Sequence, residues 1–381
     1  VKYTPYQYQA YAEQFILEHD AAGLFLDMGL GKTIISRGQL LYEISRTFER
    51  VIAVSGCHGK TTCTSMLAHI FYAAGAPFCM HAGGRDVDFG NFRYSGNKFF
   101  ITEACEYKKN FLLLKPDIAV VLNNDPDHME CYGSIEKLNE AYETFIKSSD
   151  ISVTRAGDFK IGTVTFSLGG AGNYRAENLR SIKGKYSFNV YENDARLGKI
   201  ELNVYGKHNV YNALAATAAA RSACIGFDAI VRGLKAFKGV ERRFEHIGDI
   251  NGVRCIVDYA HHHREIEASI KTAKRITKGK LFVIFQPHTY SRTKNFFAEF
   301  VKVLSKIDNI LIYKTFAARE YFDDEGSALT LSQAVKNAKY GDCPHDIVDF
   351  MNIAHNEDTV LILGAGDIYD IAKALILSKI E

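Results

Sequence analysis

The chain has no Cys-x-x-Cys pair, no internal repeat, no low-complexity tract and no large excess of either charge. Without paired cysteines the usual spacing of a zinc site is missing. The eight thiols, at Cys57, Cys63, Cys79, Cys105, Cys131, Cys224, Cys255 and Cys343, read instead as reduced core residues. No apolar run reaches the roughly 18 residues of a membrane span, and the opening "VKYTPYQYQAYAEQF" has no apolar signal core. Neither membrane insertion nor export is expected, and the expected compartment is the cytoplasm. A formal net charge of +2 excludes a chain drawn by charge alone to nucleic acid or a lipid surface. What is present is a globular composition, 47% hydrophobic and 24% charged over 381 residues, enough for two or three domains with proper cores.

Two Gly-Lys-Thr triplets lie close together, at Lys32 and Lys60. Each follows an apolar run, "AGLFLDM" and "RVIAVSG", so each reads as a strand feeding a loop that opens a helix. That is the layout of a nucleotide phosphate loop, where backbone N–H groups and a lysine hold phosphates and the threonine hydroxyl holds magnesium. Helices are expected over 5–19, 34–50 and 60–75, and strands over 51–56, 99–104 and 117–124. Segment 151–205 alternates polar and apolar residues between turn signals and reads as antiparallel strands. After the Ala-rich helix "HNVYNALAATAAARSACIG", strands over 252–262, 280–288, 309–316 and 358–366 alternate with helical patterns. They predict a second open α/β unit from about residue 241.

From Ile34 onward the chain resembles the Mur ligases. The stretches that carry the resemblance are "SRGQLL", "AVSGCHGKTT", "TEACEYKKNFLLLKPDIAVVLNNDPDHMECYGS", "GKHNVYNALAA", "GVERRFE", "DYAHH", "QPHTYSRT" and "LILGAGDIYDIA", collinear with the family order. Within the family they are most similar to the branch that joins L-alanine to UDP-N-acetylmuramate. The resemblance implies an α/β fold with a central ATPase domain, 34–240, and a C-terminal Rossmann-like domain, 241–381. It also implies ATP and Mg2+, and an ADP-forming reaction through an acyl phosphate. Such chemistry brings two anions together, so it depends on positioning and charge neutralisation.

By the same resemblance, Gly56, Cys57, His58, Gly59, Lys60, Thr61 and Thr62 cradle the phosphates, with Lys60 on the β/γ-phosphates and Thr61 on magnesium. Glu103 ends one strand and His128 follows another, and the resemblance makes both candidates for a second magnesium; taken alone, Glu103 reads equally as an exposed strand-end carboxylate, and His128 reads more readily as a residue without a metal role. Asn209 and Asn212 lie one helical turn apart and suit an adenine edge, with helix capping by Asn209 as the alternative. Arg243 and Asp258 are implied to serve the γ-phosphate side and the ribose on domain closure, and His261 the reacting centre. His288 and Arg292 are implied to hold the amino-acid carboxylate. The chain departs from the family at Cys57 (usually Thr), Cys105 (Asp), His263 (Pro) and Thr289 (Arg). The last removes a guanidinium fork from the amino-acid site.

Residues 4–35 resemble the start of a Swi/Snf-type helicase-like ATPase, with "PYQYQ" as an adenine-reading motif and "DMGLGKT" as the phosphate loop. No Asp-Glu-x-His follows, and no Gln-x-x-Gly-Arg-x-x-Arg supplies an arginine finger, so no DNA-dependent ATPase and no nucleic-acid partner are expected. Mur ligases normally begin with a domain for the uridine-diphosphate sugar, of which only a tail at 34–50 is expected here. The expectation is therefore a fusion near Thr33 and Ile34, with a working loop at Lys60 and a relic at Lys32 within a 1–33 fragment. The alternative to a ligase is an ATP-binding chimera disconnected from its acceptor.

Overall fold

The structure, a computed structural model, describes residues 22–26, 32–125 and 129–380. Two short strands come first, β1 (Ala22–Leu26) and β2 (Lys32–Ser36), paired antiparallel with Leu26 opposite Lys32 and Ala22 opposite Ser36. This corrects the reading of the first Gly-Lys-Thr triplet. Lys32 and Thr33 enter a strand, not a helix, so the strand–loop–helix geometry of a phosphate loop is not formed there. The β-branched run Thr33-Ile34-Ile35 favours extended backbone. The helix expected from residue 34 starts only at α1 (Arg37–Ser45), where Ser36 and Gln39 form a reciprocal capping box. The rest of the proposed helicase-like segment, residues 1–21 and 27–31, lies outside the described residues.

Next come β3 (Arg50–Ser55), α2 (Lys60–Ala73), β4 (Phe78–Asp86), β5 (Gly90–Tyr94), β6 (Phe99–Glu103) and β7 (Ile118–Val121). They are followed by α3 (Met129–Tyr132), α4 (Ile135–Lys147), β8 (Ile151–Arg155), β9 (Val164–Ser167), β10 (Tyr174–Ile182), β11 (Lys185–Glu192) and β12 (Ala195–Tyr205). These strands form a ten-stranded sheet in the order β12-β11-β10-β9-β8-β7-β3-β6-β4-β5. Around β3 the pairing is parallel, with β6 on one side and β7 on the other. Val51 to Ser55 and Ile118 to Val121 are buried throughout, the pattern of strands covered on both faces.

Segment 151–205 is only partly the antiparallel array that its alternation suggests. β9 pairs parallel with both β8 and β10. The connections on either side contain Gly157 and Gly162, then Gly169, Gly170 and Gly172, all at positive φ. Those residues let the chain loop back to the same starting edge, where a tight hairpin would have reversed it.

Helices α5 (His208–Ser222) and α6 (Phe227–Ala236) complete this part. Every residue of α5 from Asn209 to Ala220, except Tyr211, is buried, which suits its small Ala-rich surface. Gly233 brings α6 against the backbone of α2: a Cβ there would lie 2.5 Å from Ile70 Cα. This close crossing fixes the helix that carries Lys60.

The remaining elements are β13 (Glu245–Ile250), β14 (Val253–Asp258), α7 (His263–Ile276), β15 (Leu281–Phe285), α8 (Tyr290–Asn295), α9 (Phe297–Leu304) and β16 (Asn309–Tyr313). Then follow α10 (Ala328–Ala334), β17 (Ala338–Gly341), α11 (Pro344–Met351), β18 (Thr359–Leu363) and α12 (Ile368–Ile380). The sheet order is β13-β14-β18-β15-β16-β17, parallel except for β13. Alternate residues feed two cores. Ile256, Val283, Phe285, Ile310 and Leu361 face one, while Cys255, Val257, Ile284, Leu311 and Ile362 face the other. This is the doubly wound α/β unit that the four apolar runs predict.

The chain divides into two compact units. One takes the described residues up to Leu179 with Ser187–Glu201 and Asn209–Phe237, the other Arg180–Tyr186, Leu202–His208 and the chain from Lys238. No helix among the described residues is long and apolar enough to cross a membrane.

Candidate functional site

In the first unit the candidate residues gather at the carboxyl ends of three neighbouring parallel strands, where open α/β sheets place their ligands. β3 ends at Ser55 and runs into Gly56-Cys57-His58-Gly59, which opens α2 at Lys60. Gly59 occupies the N-cap of α2 at φ 86°, and no side chain caps the helix. The first-turn N–H groups are thus left for an external acceptor, beside the positive end of a 14-residue helix. A side chain at Gly59 would be strained at that φ, and its Cβ would lie 2.5 Å from Asn212 Oδ1. Asn212 is itself buried and donates to Asn209 Oδ1 at 3.0 Å. Both asparagines therefore pack inside the unit, with Asn212 against the loop.

The loop is braced by side chains from other strands. Asn123, just beyond β7, accepts from the His58 N–H at 3.1 Å and donates to the His58 carbonyl at 2.9 Å. The Cys57 thiol donates to the Asp125 carbonyl and lies 3.6 Å from the Tyr142 hydroxyl. A hydroxyl at position 57 would make the same bond, so cysteine in place of the family's threonine preserves the loop. Thr61 and Thr62 occupy the first turn of α2.

Lys60 Nζ donates to the Gly56 carbonyl at 2.7 Å and lies 3.0 Å from each carboxylate oxygen of Glu106. Burial pulls the ammonium pKa down, but the negative charges led by Glu106 outweigh it, and Lys60 stays above the ordinary lysine value. Glu103 ends β6 and accepts from the Gly83 N–H at 2.6 Å. It is partly exposed, unlike Glu106, which is fully buried. His128 lies outside the described residues, so its proposed partnership with Glu103 has no geometry here. Glu106 and Asn123 were missed in the sequence. Each sits inside a stretch already singled out, "TEACEY" and "LNND", but only tertiary structure shows which loop atoms they reach.

In the second unit a separate cluster forms at the ends of β14 and β15. Arg243 stacks on Tyr259 with its guanidinium carbon 4.9 Å from the ring centroid, and lies 3.8 Å from Glu265. Glu265 also stands 3.6 Å from His261 Nδ1. Burial lowers the His261 pKa against the opposing pull of Glu265. Asp258 faces inward, accepting from the Ala260 N–H at 3.2 Å and the Ser269 hydroxyl at 2.5 Å. Burial raises its pKa to about 6. The resemblance implies a ribose-side role for Asp258; in this structure each of its oxygens accepts one hydrogen bond within the unit.

His288 and Arg292 are brought together, with Arg292 Nη1 donating to His288 Nδ1 at 3.1 Å. A guanidinium only donates, so Nδ1 is unprotonated and the ring carries its hydrogen on Nε2. Burial first, then His261 and Arg292, lower the His288 pKa to about 4. The two imidazoles of His261 and His288 lie 5.8 Å apart by centroid. Thr289 caps α8 at φ 67°, where its hydroxyl accepts from the Arg292 N–H.

The Mur ligase middle domain matches residues 54–220, and the domain described as "Mur ligase, glutamate ligase domain" matches residues 242–366. The chain is 38% identical to the UDP-N-acetylmuramate–L-alanine ligase of Clostridium acetobutylicum over 366 residues, covering 91% of this chain and 80% of that protein. It is 36% identical to the enzyme of the same name from Clostridium beijerinckii, covering 88% and 77%. The crystal structure of the UDP-N-acetylmuramate–alanine ligase of Thermotoga maritima superposes with a TM-score of 0.78 at 27% identity, over 90% of this chain and 78% of that one. A Thermotoga maritima MurF ligase solved with ADP shares the fold, with a TM-score of 0.69 at 19% identity. The ends of three parallel strands that gather the Lys60 loop, and the doubly wound unit after it, thus lie on the domains of one family: the chain belongs to the Mur ligases.

Proposed function

We propose that the chain is an ADP-forming ligase that joins L-alanine to the carboxylate of UDP-N-acetylmuramate. The observation that carries this reading is the Gly56–Thr62 loop. An uncapped helix end, a left-handed glycine and a lysine ammonium converge where a triphosphate would meet all three. Relatives with this activity align over nine-tenths of the chain.

The γ-phosphoryl group passes from ATP to the acceptor carboxylate and ADP departs. The L-alanine amine then attacks the acyl carbon, loses a proton, and orthophosphate leaves. Lys60 neutralises charge on the β/γ-phosphates, and the first-turn amides of α2 bind their oxygens. Thr61 and Glu103 offer the oxygen donors that magnesium prefers, with His128 proposed beside them; the metal supplies charge neutralisation to the phosphates. We assign Asn209 and Asn212 to the nucleotide side as supports of the loop, through the Asn212 packing on Gly59. In the second unit Arg243, Asp258 and His261 are assigned to the nucleotide and reacting centre, and Arg292, oriented by neutral His288, to the amino-acid carboxylate.

The test is phosphate release by the purified chain with ATP and Mg2+, with and without both acceptors. Release that requires UDP-N-acetylmuramate and L-alanine and is lost in Lys60→Ala supports the proposal. Release indifferent to the acceptors sinks it.

A further inference from the structure

The most unusual charged group in the first unit is Glu106. Its carboxylate is fully buried, yet nothing in the reaction as described uses it. A buried anion is tolerated only where it is paired and hydrogen-bonded. Both oxygens lie 3.0 Å from Lys60 Nζ, and the Glu106 carbonyl accepts from the buried Tyr132 hydroxyl at 2.6 Å. The backbone beyond it is also unusual. Lys108 and Lys109 are consecutive non-glycine residues at φ 52° and 59°, a left-handed pair that the surrounding structure must impose.

The Lys60 ammonium has three hydrogens. They are shared among the Gly56 carbonyl at 2.7 Å, the Cys57 carbonyl at 3.4 Å and the two Glu106 oxygens. Phosphate oxygens entering the loop must displace some of these acceptors. The carbonyls are neutral and weaker acceptors for an ammonium than a carboxylate, so the carbonyls are the ones released.

We propose that Glu106 is a positioning residue for Lys60: its buried carboxylate tethers the ammonium over the loop, and the tether persists when phosphates replace the loop carbonyls. Glu106 thereby orients the lysine for phosphoryl transfer, while its negative charge weakens nucleotide binding in the ground state. The inference rests on the nucleotide reading of the Lys60 loop.

The experiment uses the full chain as wild type, Lys60→Met, Glu106→Gln and Glu106→Asp. MgADP binding is measured by calorimetry, and kcat by acceptor-dependent phosphate release. Glu106→Gln frees the ammonium for phosphate but unties its direction. Roughly tenfold tighter MgADP binding together with roughly tenfold lower kcat is expected. Glu106→Asp keeps the charge at shorter reach, so wild-type MgADP affinity with a several-fold lower kcat is expected, and this variant decides if the glutamine protein does not fold. A purely structural role would weaken binding and turnover together. Unchanged or weaker MgADP binding in Glu106→Gln, or wild-type kcat in either Glu106 variant, overturns the proposal. If wild-type protein binds no MgADP, the nucleotide reading of the loop fails and takes the tether with it. If it binds, and only Lys60→Met has an effect, the tether alone is wrong.

Discussion

A single methyl group at position 59 tests how the phosphate loop is held. Gly59 sits at φ 86°, where an L side chain costs about 1–2 kcal/mol. The new Cβ would also meet Asn212 Oδ1 at 2.5 Å and Leu122 Cδ1 at 3.2 Å. Asn212 is buried in α5 and bonded to Asn209, so moving it breaks a buried hydrogen bond, worth about 1–3 kcal/mol when a partner is left unsatisfied. Gly59→Ala should therefore destabilise the first unit by about 2–5 kcal/mol. It should also displace the first-turn amides of α2, lowering MgADP affinity by ~10-fold or more. Urea unfolding should be followed with probes in each unit, since two units need not unfold in one step. The second variant is Gly59→Ala with Asn212→Ala. Removing the amide relieves the clash but not the φ strain, so the double mutant should show a coupling of about 1 kcal/mol or more. A Gly59→Ala protein with wild-type unfolding and MgADP affinity would refute the reasoning, and strict additivity would refute the Asn212 contact.

Three further outcomes follow from the second unit. Asp258 has a folded pKa of about 6, above the unfolded carboxylate value, so its ionisation on going from pH 4 to pH 8 opposes folding. Asp258→Asn should accordingly gain up to about 3 kcal/mol relative to wild type between pH 4 and pH 8, read by denaturant melts across that range. His288 shifts the other way: its folded pKa of about 4 lies below the unfolded value, so its contribution is complete above about pH 6.5 and is lost as pH falls towards 4. His288→Gln should flatten that part of the stability profile by at most about 3 kcal/mol, less for a partly exposed ring. Arg292→Lys keeps the charge but loses the planar fork, so the KM for L-alanine should rise roughly 10-fold or more with a smaller change in kcat; an unchanged KM would remove Arg292 from the amino-acid site.

The legible parts of the sequence were those where local pattern and burial agree. β3 and β7 are continuous apolar runs and are buried on both faces, and the four apolar runs after residue 252 became β14, β15, β16 and β18. β17 was not read, because Ala338–Gly341 is four residues long and half-exposed, with no apolar alternation. The Lys32 triplet shows the limit of a short motif. It shares the Gly-Lys-Thr triplet with the loop at Lys60, but it leads into a strand paired with β1. At Lys60 a helix follows and neighbouring strands brace the loop. Glu106 and Asn123 were illegible for a different reason: their partners, Lys60 and His58, are far away in sequence and close only once β3, β6 and β7 are side by side. Asp258 was read inside a strand expected over 252–262, whereas β14 ends at Asp258 itself, and chain position does not reveal that the Ser269 hydroxyl in α7 donates to its carboxylate.

We propose that the Lys60 loop drives a carboxylate–amine ligation. The most direct measurement is phosphate release with ATP, Mg2+, UDP-N-acetylmuramate and L-alanine, run beside single omissions of each acceptor and beside Lys60→Ala. Release should fall to background on omission of either acceptor and in Lys60→Ala. Release that persists without acceptors, or that survives Lys60→Ala, would contradict the proposal.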